Sequence, residues 1–122
     1  MNKLSNFLTN RLKSIGYAFK GAYLLLTTEA SLKVQFFLGV IVTIAGFYYN
    51  LSPIEWMIQI LTIASIMALE GINTAIEEMA DFIHPEQHKK IGLIKDLAAG
   101  AIFIFAIAGI IIGFIIYFPK VF

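Results

Sequence analysis

Two stretches of this chain carry no charged side chain, residues 34–54 and residues 97–119. Each is long enough to cross the ~30 Å hydrocarbon layer of a bilayer, which takes about 20 residues of helix. Inside lipid every backbone N–H and C=O must find its partner within the segment, so an isolated run of this kind has to be helical. Composition agrees. Hydrophobic residues make up 59% and charged residues 14% of the 122, against roughly 45–50% and about 25% in soluble domains. Mean hydropathy is +0.82. A soluble domain of this size would need more polar surface than these residues supply.

Between the two runs, residues 56–69 are apolar but too few to span alone. A spanning helix there must start near Pro53, a favoured first helical residue, and continue through Glu70, Glu77 and Glu78 to about Ala80. The expected architecture is an all-α membrane protein, a single domain over residues 1–122. It has spans at about 32–51, 54–80 and 94–118, preceded by a helix over about 4–27. In that first helix Leu4, Leu8, Leu12, Ile15, Phe19, Tyr23 and Leu26 recur every three or four residues, with Lys13, Tyr17 and Lys20 opposite. This is the pattern of an amphipathic helix lying in the membrane interface. Lys3, Arg11, Lys13, Lys20 and Lys33 precede the first span, and Lys89, Lys90 and Lys95 separate the second from the third. By the positive-inside rule the N-terminus and the 81–96 segment face the cytoplasm, and the C-terminus faces outward.

A net charge of +1 gives no reason to expect a nucleic acid partner. The absence of cysteine excludes disulfides, thiolate metal sites and a Cys nucleophile. The first 33 residues lack the short basic region and apolar core of a cleavable signal, so the whole chain is expected in the mature protein. In the third span Ala99, Ala106, Gly109 and Gly113 form a stripe of small residues, with the Gly-xxx-Gly spacing that lets helices approach closely.

The chemistry is concentrated in residues 70–81. At 100° per residue Glu70, Thr74, Glu77 and Asp81 fall within about 60° of one another, with Asn73 at their edge. Carboxylates in or near hydrocarbon cost several kcal/mol unless they meet water, a cation or a donor, so the stripe should face a protein interior or a cavity. Oxygen ligands alone select hard cations such as Mg²⁺. With Glu29 and the cations Lys13, Lys20 and Lys95, the stripe has the parts that phosphoryl transfer needs. An ion or proton pathway, or structural polar packing, fits the same periodicity. No Walker A, kinase Gly-rich loop, GxSxG or HExxH motif is present. His84 and His88 are spaced like a metal pair, but Pro85 between them opposes the regular helix such a pair needs.

These residues closely resemble the prokaryotic diacylglycerol kinase family, which includes the undecaprenol kinases. The resemblance lies in Gly16-Tyr17-Ala18-Phe19-Lys20-Gly21, Glu29-Ala30, the run Glu70-x-x-Asn73-x-Ala75-Ile76-Glu77-x-x-x-Asp81, and Lys95-Asp96. It implies a homotrimer of three-span subunits in the bacterial cytoplasmic membrane, with active sites shared between neighbours. It further implies an ATP- and Mg²⁺-dependent lipid kinase, with diacylglycerol as the leading acceptor and undecaprenol as the alternative. Glu29 and Glu77 would hold Mg²⁺ on the ATP phosphates, Glu70 would act as base on the lipid hydroxyl, and Asn73 would orient these groups. Tyr17, Glu86, His88, Lys95 and Asp96 would contact ATP. Arg11, Lys20, Ser31, Gln35 and Ala99 would join Glu70 in contacting the lipid. Two positions depart from the family: Asn10 stands where an Arg is common, and Gln35 where the diacylglycerol enzymes tend to have an acid and the undecaprenol enzymes His. A small ion-translocating or purely structural membrane protein is the reading of another class.

Overall fold

The computed structural model describes residues 2–122, and all secondary structure among them is helical. Four helices follow in order: α1 Lys3–Thr28, α2 Ala30–Tyr48, α3 Pro53–Ile83 and α4 Lys89–Val121. The last three are long and apolar enough to cross a membrane.

Asn2 starts α1, its Oδ1 accepting from Ser5 N at 2.8 Å. A single extended residue, Glu29 (φ −95°, ψ 119°), separates α1 from α2. Its N–H reaches Leu25 O and its C=O receives Lys33 N, both at 3.1 Å, so both of its backbone groups stay paired across the break. Its side chain makes no capping bond.

The end of α2 is a Schellman motif. Asn50 takes φ 54°, a left-handed conformation that Asn tolerates better than most residues. Leu51 N then bonds Gly46 O at 3.1 Å and Asn50 N bonds Phe47 O at 3.4 Å. The helix therefore stops at Tyr48, three residues short of the expected end at 51. Ser52 at once opens α3 with a capping box: Glu55 N donates to Ser52 Oγ at 3.2 Å, and Ser52 N to Glu55 Oε1 at 2.9 Å. Pro53 is the first helical residue, as expected. At the other end α4 starts earlier than the expected 94, because His88 Nδ1 caps Lys90 N at 3.0 Å. It also runs past Pro119, whose missing N–H falls in the last turn and breaks little of the helix.

The centre of the bundle is α3, which packs on α2 to one side and α4 to the other, while α1 meets α2. Glycines set the closest approaches. At Gly46 an added Cβ would lie 2.7 Å from the Trp56 ring, at Gly71 2.9 Å from Leu25 Cδ1, and at Gly109 3.2 Å from Ile66 Cδ1 and 3.3 Å from Thr62 Cγ2. The small-residue stripe of α4 thus serves packing within the chain at Gly109, whereas Gly113 faces open space.

Few apolar side chains are buried: Leu32, Leu51, Ala80, Ile102 and Ile116. In lipid this is no deficit, since apolar contact between helices gains nothing over contact with acyl chains. Polar ties hold the helices instead. Gln59, 4% exposed, donates Nε2 to Val42 O at 3.3 Å. Tyr117 Oη has one proton, which it shares between Gln59 Oε1 and the same Val42 carbonyl, the latter at 3.2 Å. One carbonyl of α2 is thereby tied to α3 and α4 together. Near the same end Lys120 Nζ lies 3.2 Å from Glu55 Oε1.

Candidate active site

Helix α3 continues three residues past the expected 80, so every member of the 70–81 stripe is helical. Glu70 and Glu77 are part-buried, Asn73 is buried, and Glu78, off the stripe, is exposed. Counted along the axis at 1.5 Å per residue, Glu70 lies ~26 Å and Glu77 ~36 Å from Pro53. The two acids bracket the ~30 Å thickness of a hydrocarbon layer beginning at Pro53.

Each acid has its own amide. Gln35 Nε2 on α2 donates to Glu70 Oε1 at 3.1 Å, and Asn73 Nδ2 donates to Glu77 Oε1 at 3.0 Å. The other ends of these amides, Gln35 Oε1 and Asn73 Oδ1, are buried and without partners among the described residues. Buried acceptors of this kind are uncommon enough to point to a missing donor or cation. Thr74 does not join them, because its hydroxyl bonds Glu70 O at 3.0 Å within the helix. Glu29 is part-buried at the α1–α2 joint, and its charge, like that of Glu77, reaches Glu70.

The donor set is all oxygen, which suits a hard divalent cation. Among the described residues, however, no three Asp, Glu or His side chains converge as a metal site. The chemistry of Glu29 and Glu77 fits Mg²⁺, but one chain does not bring together enough ligands to enclose it.

Beyond the acids, residues 84–88 fold into an open cleft of about 550 Å³, lined among others by Asp81, Glu86, His88, Lys89 and Lys95. Lys95 Nζ pairs with Asp81 Oδ1 at 2.6 Å, and the charge of Glu77 also reaches Lys95. The cleft is lined mainly by residues with charged or polar groups, meets the stripe at Asp81 and has the size of a small-molecule site. Three of the five residues expected at ATP, Glu86, His88 and Lys95, line it. Asp96 is exposed just outside, and His88 already uses Nδ1 as a helix cap. His84 and His88 stack edge to face, with ring centroids 5.1 Å apart, and α3 ends before Pro85 as the sequence suggests.

The remaining expected residues lie on the other helices, Arg11, Tyr17 and Lys20 on α1, Ser31 on α2 and Ala99 on α4. Tyr17 and Lys20 are exposed on α1, Arg11 lies 5.7 Å from the centroid of the Phe7 ring on its own helix, and Ser31 and Ala99 are exposed. Sequence reasoning missed Gln59 and Tyr117. Their signal was present, since an amide inside an apolar run must find a partner.

Similarity to known proteins extends over almost all of the chain. The prokaryotic diacylglycerol kinase family matches residues 16–117. The undecaprenol kinase of Bacillus subtilis is 39% identical over 119 residues, covering 98% of this chain and 94% of that protein. The diacylglycerol kinase of Synechocystis is 33% identical over 112 residues, 91% of this chain and 64% of its own length. That of Haemophilus influenzae is 31% identical over 112 residues, 91% and 95% of the two chains. The chain therefore belongs to the prokaryotic diacylglycerol kinase family and is a lipid kinase.

Proposed function

We propose that this lipid kinase transfers the γ-phosphoryl group of ATP to the hydroxyl of undecaprenol, using Mg²⁺. Diacylglycerol, the leading acceptor on sequence grounds alone, becomes the second reading. The revision rests on identity to the undecaprenol kinase, 39% over 98% of the chain, against 33% and 31% for the two diacylglycerol kinases.

The observation that carries the transfer chemistry is the separation of two amide-held acids on one helix. Glu70 with Gln35 sits at hydrocarbon depth, where a lipid hydroxyl arrives, and Glu77 with Asn73 sits beside the polar cleft, where ATP arrives. Glu70 takes the proton of the hydroxyl as its oxygen bonds the γ-phosphorus. The bond from that phosphorus to the β,γ-bridging oxygen breaks, and ADP departs. Asn73 holds Glu77 in place, and Lys95, steadied by Asp81, brings positive charge toward the phosphates. Glu29 and Glu77 would hold Mg²⁺, which supplies charge neutralisation on ATP when bound.

Because one chain leaves the metal ligands incomplete, the functional unit is a homotrimer in which neighbours complete each site, with Tyr17, Asp96, Arg11 and Lys20 among the residues drawn in. The chain lies in the bacterial cytoplasmic membrane, with α1 in the inner interface, the 84–88 cleft facing the cytoplasm and the C-terminus outside. The test is purified protein in mixed micelles with ATP and Mg²⁺, offered undecaprenol and diacylglycerol separately. Faster phosphorylation of diacylglycerol would reverse the choice of acceptor. Phosphorylation of neither would remove the Glu70 mechanism.

A further inference from the structure

Two histidines hold the turn between α3 and α4 from its opposite ends. His84 follows the last residue of α3, and its N–H closes on Ala80 O at 2.9 Å. His88 precedes the first residue of α4, and Lys90 N donates to its Nδ1 at 3.0 Å. A backbone N–H can only donate, so this Nδ1 carries a lone pair and the ring proton sits on Nε2. His84 is set the other way round. Its Nδ1 lies 2.8 Å from Glu86 O, and a carbonyl can only accept, so here Nδ1 bears the proton. The two residues have the sequence spacing of a metal pair, yet both Nδ1 atoms are engaged and no group of three acids or histidines forms among the described residues. The pair is therefore wired into the backbone of the turn.

We infer that His84 is a positioning residue of the nucleotide site: its Nδ1–H, donated to Glu86 O, fixes the turn that presents Glu86 and His88 to ATP. The inference rests on the reading that ATP occupies this cleft, and it gives His84 itself no contact with the nucleotide. Among the described residues, no backbone–backbone hydrogen bond reaches residues 85–87. The bond from His84 is what holds the middle of the turn in place. His84 is suited to the task, being half-buried while every other residue from 81 to 90 is exposed. Its ring also packs edge to face on His88, which in turn caps α4. Without the bond, Glu86 and Gln87 regain backbone freedom that ATP must remove again on binding. The loss falls on affinity and leaves the chemical step alone, because Glu70 and Glu77 sit inside α3, where the turn does not set their positions.

Three substitutions separate the hydrogen bond from the ring. His84→Asn puts an amide N–H one bond from Cγ, as Nδ1 is, so it keeps the donor and drops the ring. His84→Phe keeps a ring beside His88 but has no donor, and His84→Ala has neither. The assay uses the full chain in mixed micelles with Mg²⁺-ATP and a lipid alcohol. His84→Phe and His84→Ala should raise KM for ATP roughly three- to tenfold, the worth of one neutral hydrogen bond. For both, kcat at saturating ATP and KM for the lipid alcohol should stay near the wild-type values, and His84→Asn should bring KM for ATP back. Detergent melting curves taken beside the kinetics should coincide across the series. An unchanged KM for ATP in His84→Phe, or a His84→Asn protein as impaired as His84→Ala, would overturn the role of the bond. A fall in kcat with KM for ATP unmoved would overturn it too. In parallel, 8-azido-ATP should label residues 81–95 of the unaltered protein, a readout independent of how any variant folds. Labelling elsewhere would remove ATP from the cleft and overturn the inference through its premise, whereas labelling of the cleft with unaltered kinetics in all three variants would overturn it on its own account.

Discussion

Lys95 Nζ stands 2.6 Å from Asp81 Oδ1, joining the first turns of α4 to the last turns of α3 across the 84–88 loop. Both side chains are substantially exposed, at 36% and 57%, so water screens the pair and it adds little stability. In the proposed nucleotide site it would aim the ammonium along the cleft. Asp81→Asn should leave the detergent melting temperature nearly unchanged but raise KM for ATP several-fold, and Lys95→Met should raise it further. Melting curves beside ATP titrations check this, and an unaffected KM in both variants would take Lys95 out of the nucleotide site.

Glu70 and Glu77 should fail differently. Glu70→Gln is expected to retain ATP and metal binding while lipid phosphorylation drops by a factor on the order of 10²–10⁴, the range for a positioned general base. Glu77→Gln should lose turnover and also bind Mg²⁺-ATP more weakly, with the fold kept because an amide replaces a carboxylate of the same shape. Nucleotide affinity measured beside turnover separates the two roles. Equal loss of ATP binding in both variants would contradict the division.

Gly109 packs against Ile66 and Thr62 of its own chain, where even a Cβ would press on both side chains at 3.2–3.3 Å. Gly109→Leu should therefore destabilise the α3–α4 pair by about 1–3 kcal/mol, the usual cost of overpacking. Thermal unfolding in detergent measures it. A change in oligomeric state with no loss of stability would mean that this glycine meets another subunit instead.

Tyr117→Phe removes the hydroxyl that reaches Val42 O and Gln59 at the end of the bundle nearer the α2–α3 turn. Hydrogen bonds between membrane helices average ~0.6 kcal/mol and reach ~1.7. The saturated network, with a buried Gln59 left short of a partner, places this substitution toward the upper figure. Unfolding by a denaturing detergent gives the value, while KM for ATP should stay constant.

Much of this was legible in the sequence because the bilayer simplifies the code. Uncharged length alone located α2 and α4, and the 3.6-residue period placed Glu70, Asn73 and Glu77 on one side of α3 before any packing was known. Ends were less readable. The stop at Tyr48 depends on Asn50 entering the left-handed region, and the early start of α4 on a histidine acting as cap; both are local side-chain choices that hydropathy does not register. The partner of Glu70 was hidden for another reason. Gln35 and Glu70 are 35 residues apart, and only the packing of α2 on α3 makes them neighbours. Glu29 and Glu77, expected to share a cation, belong to no cluster of three or more acidic or histidine side chains among the described residues.

The single extended residue between α1 and α2 has a mechanical consequence. With no slack on either side, the carboxylate of Glu29 sits at the fulcrum of two stiff rods, and its direction follows the angle between them. Inserting one residue beside it would turn the following helix by ~100° relative to the preceding one, swinging Gln35 away from Glu70. Any force that tips α1 acts on that acid without an intervening hinge to absorb it.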